Sequence, residues 1–204
     1  MDAPIRSRSV PARSVDCGSD DVRVRRIRRT DAPQIERFYA ALSAESRRTR
    51  FFAVGAGLSH QQSVSLCTPD HDHREGFVAV VSEAAPDDER IVGHLCLEPA
   101  GADVAEVAIA VADGSQHRGI GRRLMKAGID WARAEGFTTM TATTFASNAP
   151  IHRLLVGLGL PTHAQPATDS GVEDITIDLV ASTAMDLDGI VRSVDHGSDQ
   201  VGRR

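Results

Sequence analysis

The stretch AEVAIAVADGSQHRGIGRRLM, Ala105–Met125, decides the fold. Its first nine residues, Ala105–Asp113, are apolar with almost no alternation, the pattern of a central strand covered on both faces. Further on, Ile120, Leu124, Ala127 and Trp131 recur at helical spacing, and Gly136 stands where such a helix would cap its C-terminus. Between strand and helix lies QHRGIG, Gln116–Gly121. A helix start leaves backbone N–H groups unpaired and carries a partial positive charge. Gly119 and Gly121 lack the Cβ atoms that would keep an anion away, and Arg118, Arg122 and Arg123 add cationic charge. The simplest ligand for that cradle is a pyrophosphate. Two glycines equally permit close packing of a helix on a sheet, so the pattern alone leaves both uses open. It is not a dinucleotide fingerprint, because Leu124 occupies the place of the third glycine, and no G-x-x-x-x-G-K-[ST] phosphate loop is present.

Working outward, VRVRRI (Val22–Ile27) alternates apolar and basic residues, the period of a half-buried strand. Asp31, Pro33 and Gln34 read as a helix start, with Asp31 as cap and Gln34 closing a capping box. Ile35, Phe38 and Leu42 share that helix's apolar face, and SAESRRTRFF is a second helical stretch. GFVAVVS (Gly76–Ser82) and IVGHLCLEP (Ile91–Pro99) read as a hairpin around the turn APDDER. After the central helix, FTTMTATTFA is β-branched and reads as a strand. Asn148 with Pro150 starts a helix that ends at Gly157 or Gly159, and GVEDITIDLV is the last strand. The order β-α-α-β-β-β-α-β-α-β predicts an α/β class fold, a mixed sheet with helices on both faces.

The chain has 204 residues, 41% of them hydrophobic, enough for one domain with a proper core. We expect that domain at about residues 21–180, between a disordered arm (1–20) and a disordered tail (181–204), both polar and without periodicity. The two ends share an echo, RSVDCGSD (Arg13–Asp20) and RSVDHGSD (Arg192–Asp199), for which no physical account presents itself. No apolar run is long enough for a membrane span, and the N-terminus lacks a secretory apolar region, so a cytoplasmic protein is expected. The net charge of −5 speaks against a dedicated nucleic-acid binder. Basicity is local: residues 1–29 hold eight Arg against four Asp. Of 23 basic residues only Lys126 is a lysine. Three cysteines without a C-x-x-C pair argue against a disulfide framework or a zinc site, and Cys96 reads as a core residue. His71-Asp72-His73 reads as a solvated turn, so no metal is expected.

Gln116, Gly119 and Gly121 match the pattern [QR]-x-x-G-x-[GA] of the Gcn5-related N-acetyltransferases (GNAT), which the sequence resembles over residues 21–180. The strand before the loop, the helix after it, and Asn148 with its later LGL (Leu158–Leu160) are in that family's order. The resemblance implies acetyl-CoA as co-substrate. It implies cofactor contacts from Gln116, His117, Arg118, Gly119, Ile120, Gly121 and Arg122, a pantetheine contact from Asn148, and an oxyanion donor among the amides of Ile109, Ala110 and Val111. Three stretches, LSAESRRTRFF (Leu42–Phe52), Ala105–Met125 and SNAPIHRLLVGLG (Ser147–Gly159), further resemble the bacterial protein-lysine acetyltransferases. By that resemblance Glu106 is the general base, and burial of its strand is expected to suit it to the role. The acceptor would be a protein lysine ε-amine. Alternatives are a small amine (polyamine, aminoglycoside or amino acid) or a non-catalytic acyl-CoA sensor. Monomer and homodimer are both compatible. The tyrosine that many family members use to protonate the leaving thiolate is missing: Leu155 holds its position, and Tyr39 is the chain's only tyrosine.

Overall fold

A computed structural model describes residues 22–52, 58–82, 89–165 and 169–180. The expected arm and tail, the sequence echo, Cys17 and most of the APDDER turn lie outside the described residues. The elements follow in the order β1 (Val22–Arg26), α1 (Ala32–Ala41), α2 (Ala44–Phe51), α3 (His60–Leu66), β2 (Glu75–Ser82), β3 (Glu89–Pro99), β4 (Val104–Val111), α4 (Ile120–Ala134), β5 (Thr139–Phe145), α5 (Ala149–Leu158), β6 (Thr162–Ala164) and β7 (Val172–Asp178). They build one seven-stranded sheet in the order β1-β2-β3-β4-β5-β7-β6. No described helix is long and apolar enough to cross a membrane.

Two elements were missed in the sequence, both short and polar. In α3, HQQSVSL has too few apolar residues to show a periodicity. It is held instead by a capping box, with Ser59 Oγ accepting from Gln62 N at 3.3 Å and Gln62 Oε1 from Ser59 N at 2.8 Å. β6 is three residues at the sheet edge, paired only with β7. A third correction concerns Asp31, whose side chain does not cap α1. Its two oxygens take both arms of the Arg25 guanidinium at 2.8 and 2.9 Å, and one also accepts from Arg28 N at 2.8 Å. Gln34, expected to complete the box, accepts from Ile91 N at 3.3 Å. A bidentate ion pair outcompetes the neutral amides of a helix start.

The sheet divides two apolar layers. On one side α4 lays Ile120, Leu124, Met125 and Ile129 on Leu95, Leu97, Val107 and Met140, with Leu155 of α5 joining. The fit is close: a Cβ added to Gly93 would stand 2.9 Å from Leu124 Cδ1, so only glycine lets the helix settle there. A bulge in β3 puts Gly93 under the helix, because Ala79 pairs with Gly93 while Val80 pairs with Ile91. On the outer surface of α4, Lys126 pairs with Asp130 one turn on, at 2.9 Å. The other side of the sheet carries α1 and α3: Ile35, Phe38 and Tyr39 of α1 and Leu42 just after it pack on Val78, Val80 and Ile91, and Val64 and Leu66 of α3 pack against the same cluster.

That second layer is not wholly apolar. Tyr39 and His94 are fully buried and share a 2.8 Å hydrogen bond between Oη and Nδ1. Arg50 reaches in from α2, with Nη2 3.3 Å from the Cys96 sulfur and its guanidinium 5.0 Å from the centre of the Phe51 ring. Cys96 is buried as expected. Burial pushes the Tyr39 phenol up to about 12. Burial, with Arg50 nearby, pulls the His94 imidazole down to about 3 from 6.5.

The buried histidine makes the fold acid-sensitive. Unfolded, His94 takes up its proton near pH 6.5 and folded only near 3, so below 6.5 the unfolded state binds more protons and stability falls with pH. The slope is about 1.4 kcal/mol per pH unit within that window. Urea unfolding should therefore show a loss of about 2 kcal/mol between neutral pH and about pH 5. His94→Phe should remove most of that difference, whatever it does to the stability at neutral pH.

Candidate active site

Every neighbouring pair of strands in the sheet is antiparallel except β4 and β5. Those two run parallel, and their register covers three pairs only, Val104 with Thr139, Ala105 with Met140, and Glu106 with Thr141. Beyond Glu106 each strand keeps its other partner: β4 stays on β3 as far as Val111 and β5 stays on β7 as far as Phe145. The strands part, and the wedge between them opens onto the N-terminus of α4. A cavity of about 550 Å³ fills it. Of the residues singled out in the sequence, Ile109, Ala110, Val111, Gln116, His117, Gly119, Ile120, Gly121, Arg122 and Asn148 line this cavity. Arg118 and Glu106 are not in the lining.

The loop earns its shape from two left-handed residues, His117 at φ 60° and Gly119 at φ 75°. Gly119 is the residue before α4, and the first backbone bond of the helix runs from Arg123 N to Gly119 O at 3.1 Å. The amides of Ile120, Gly121 and Arg122 therefore have no acceptor within the helix, the condition for holding an anion. The two glycines do different work. At Gly119 a Cβ would meet open space, so the positive φ is what calls for glycine. At Gly121 a Cβ would stand 3.3 Å from Leu154 Cδ2, so this residue also lets α5 approach α4. Both uses left open by the sequence are present, one at each glycine.

Above the loop, β4 offers donors to the wedge. Ala112 N donates to Val92 O on β3 at 2.9 Å. Because successive strand residues turn their amides to opposite sides, Ile109 and Val111 aim theirs away from β3, toward the side β5 has left. Val111 is consistent with this, since its carbonyl accepts from Gln116 Nε2 at 3.2 Å. Asn148 caps α5, accepting from Ile151 N at 3.4 Å and donating to Thr144 Oγ1 at 3.0 Å.

Glu106 does not have the setting expected for it. Its strand is central, but the Glu106 side chain is exposed, on the opposite sheet face from α4. Directly across on β3 stands Glu98, gripped by both Arg74 Nε and Arg74 Nη2. Arg74 pairing leaves Glu106 as the uncompensated carboxylate of the two. The turn before Arg74 is also less idle than expected: His71 Nδ1 lies 3.0 Å from the fully buried Glu75, which Arg26 also holds. Among the described residues no group of three or more His, Cys, Asp or Glu could hold a metal ion. Tyr39 is sealed in the second apolar layer and Leu155 in the first, so neither tyrosine nor its expected position supplies a hydroxyl to the cavity.

Sequence reasoning missed the wall opposite α4. Glu45, Ser46, Arg48 and Thr49 of α2 line the cavity, with Asp113 and Phe145. Arg48 stands 4.2 Å above the Phe145 ring and reaches from α2 across to β5. Asp113 accepts from Ser43 N at 2.8 Å and from the Ser43 and Ser46 hydroxyls at 2.7 Å each. Burial works against its charge, but those three donors outweigh it and hold the carboxyl below its usual range. Arg48, Arg122 and Arg153 in the lining outnumber the carboxylates of Glu45 and Asp113, so the cavity is net cationic, the sign that a polyphosphate needs.

Comparison with known proteins agrees with this geometry. Residues 36–159 match the family model described as the acetyltransferase (GNAT) family. The chain is similar to the crystal structure of the GNAT domain of S. lividans PAT, at 26% identity and a TM-score of 0.68, covering 77% of this chain and 90% of that one. It is similar to a GCN5-related N-acetyltransferase from Kribbella flavida at 25% identity and a TM-score of 0.60, covering 78% and 96%. In fold it also resembles yncA, a putative acetyltransferase from Salmonella typhimurium solved with its cofactor acetyl-CoA, at 18% identity and a TM-score of 0.63, covering 82% and 99%.

The glycines give a direct test. Gly119→Glu puts a carboxylate and a strained φ at the amide cradle, and calorimetric titration with CoA should show affinity reduced at least about tenfold. Gly121→Ala asks Leu154 to shift slightly while gaining about 1 kcal/mol of helix propensity, so thermal unfolding should show little net change in stability and the affinity for CoA should fall less than in Gly119→Glu.

Proposed function

The chain belongs to the acetyltransferase (GNAT) family, whose members use acetyl-CoA, and from that premise we propose that it acetylates the ε-amine of lysine in a protein. The observation that carries the reading is the wedge between β4 and β5, with orphan amides at its base and outward-turned amides along its side. The likeness to the S. lividans GNAT domain supports lysine as acceptor.

Acetyl-CoA supplies an activated acyl group, a thioester. The amides of Ile120, Gly121 and Arg122 hold its diphosphate, and Asn148 with the lip of β5 steers the pantetheine arm into the wedge. A lysine amine, with a pKa of about 10.4, arrives almost wholly protonated. Glu106 takes that proton from the face of the sheet on which α2 lies, directly or through water, and the freed nitrogen forms its bond to the carbonyl carbon. The amides of Ile109 and Val111 face the oxygen as it gains charge, which is worth most in a site kept from water. As the C–S bond breaks, the electron pair leaves on sulfur. A thiol pKa of about 8.5 makes that thiolate a tolerable leaving group, so the missing tyrosine is not essential. The adduct nitrogen still carries one proton too many, and that proton passes through water in the open cavity to the thiolate, giving the amide and the free thiol of CoA, while Glu106 releases the first proton to solvent.

A small amine (polyamine, aminoglycoside or amino acid) is the second reading. It is favoured by the exposure of the Glu106 side chain, which a free amine can approach as readily as a lysine on a protein surface.

Glu106→Gln should lower turnover about 10²- to 10⁴-fold while leaving the dissociation constant for CoA unchanged. Full activity in that variant would remove Glu106 from the mechanism. Incubating the enzyme with acetyl-CoA and either folded lysine-rich proteins or a panel of free amino acids, followed by mass spectrometry, separates the two acceptor classes. Acetyl-lysine in the proteins without modified free amines is the expected result.

A further inference from the structure

The wall built by α2 is fastened to the cofactor loop through one residue. Asp113 is the second residue beyond the end of β4, and QHRGIG begins three residues later. Its carboxylate holds the backbone amide and hydroxyl of Ser43, the N-cap of α2, and the hydroxyl of Ser46 in the first turn. Ser46 Oγ also accepts from Gln116 Nε2 at 3.4 Å, and Gln116 is tied to Val111 O at 3.2 Å. Carboxylate, serine, glutamine and strand carbonyl thus link into a chain that joins the helix on one side of the cavity to the loop on the other. The rest of α2 is held elsewhere, by Phe51 on the second apolar layer, Arg50 on Cys96 and Arg47 on the carbonyls of Ala40 and Leu42, and none of these reaches the loop. The farther end of the helix carries Arg50 toward Cys96, whose strand partner Ala108 lies two residues from Glu106.

We propose that Asp113 is a positioning residue that couples the two substrate sites: when acetyl-CoA fixes the loop, Asp113 fixes α2, and with it the side of the enzyme on which the acceptor amine is received. This rests on reading the cavity as the acetyl-CoA site. A short helix with few apolar anchors exchanges between ordered and frayed states. A ligand that orders the loop orders the helix at the same time only if the two are mechanically joined. Linkage then requires the converse, so that an acceptor which engages α2 tightens the hold on the cofactor by the same factor. Arg48 over Phe145 makes a second contact between α2 and the cavity wall, but it touches β5, not the loop, and so cannot carry the loop's state to the helix.

Hydrogen exchange with CoA as the probe tests this, beside calorimetry that establishes saturation. In the unaltered protein, CoA should slow exchange at the amides of both the loop (residues 116–123) and α2 (residues 44–51), by about tenfold or more in the helix. In Asp113→Asn, which cannot accept from all three donors, saturating CoA should still slow the loop but should slow α2 less than about twofold. Ser46→Ala keeps the carboxylate and should show an intermediate loss, and it carries the test if Asp113→Asn does not fold or does not bind. Equal protection of α2 in the unaltered protein and in these variants would mean that CoA orders the helix by touching it, and would overturn the proposal. No effect of CoA on α2 in the unaltered protein would overturn it as well. Failure of CoA to bind the unaltered protein at all would instead reject the cofactor site, and the coupling with it.

Discussion

The parting of β4 from β5 is the constraint on which the rest of the molecule depends. Two parallel strands that paired along their whole length would close the sheet and leave no room between Val111 and Phe145. Pairing stops at Glu106 while each strand keeps its outer ladder, β4 on β3 and β5 on β7, so only the two edges that face each other are freed. The backbone groups this frees on β4 would be costly in a sealed core. They are tolerable at the wall of a cavity that admits a polar ligand. Placing the start of α4 at the foot of the wedge supplies a second set of free amides, so main-chain donors stand both along the wedge and at its base.

Around that wedge the two layers have different characters. The α4 side is large and almost purely apolar, and it holds the loop's helix rigidly through Leu124 and the close approach at Gly93. The α1 and α3 side contains Tyr39, His94 and the incoming Arg50, a hydrogen-bonded and cationic cluster whose satisfaction is incomplete: His94 Nε2 and Arg50 Nε are buried without a partner. Burying such groups costs stability that apolar side chains would not. The apolar layer carries the helix that starts at the foot of the wedge, and the polar layer lies under α2, the opposite wall of the cavity.

Much of this was legible in the sequence where the physics is local. The apolar run of Ala105–Asp113, the helical spacing of Ile120, Leu124 and Trp131, and the glycine signals at Gly119 and Gly136 report interactions between residues near one another in the chain. The central strand, the long helix and the loop between them follow directly. What was not legible depends on partners that the local pattern does not announce, whether six residues away or seventy. Asp31 has the composition of a cap, but Arg25 and Arg28 claim it. Glu106 sits in an apolar run and pairs with Thr141, yet its side chain falls on the sheet face that α4 does not cover and is exposed there. The wall made by α2 could not be read at all, because Ser43 and Ser46 meet Asp113 across some 70 residues of chain. The serines signal a helix start, and nothing in them signals a cavity.

The lone Lys126 has a consequence for an enzyme that works beside an acylating agent. Positive charge in this protein is carried almost wholly by arginine, and a guanidinium stays protonated and resists acylation by a thioester at neutral pH. The single ε-amine is engaged with Asp130 on the outer face of α4. Under the lysine reading, the catalyst has nearly immunised itself against its own chemistry. Its surface charge, the cationic rim of its cavity and its solubility stay constant however long it turns over, while the proteins it meets lose charge one lysine at a time.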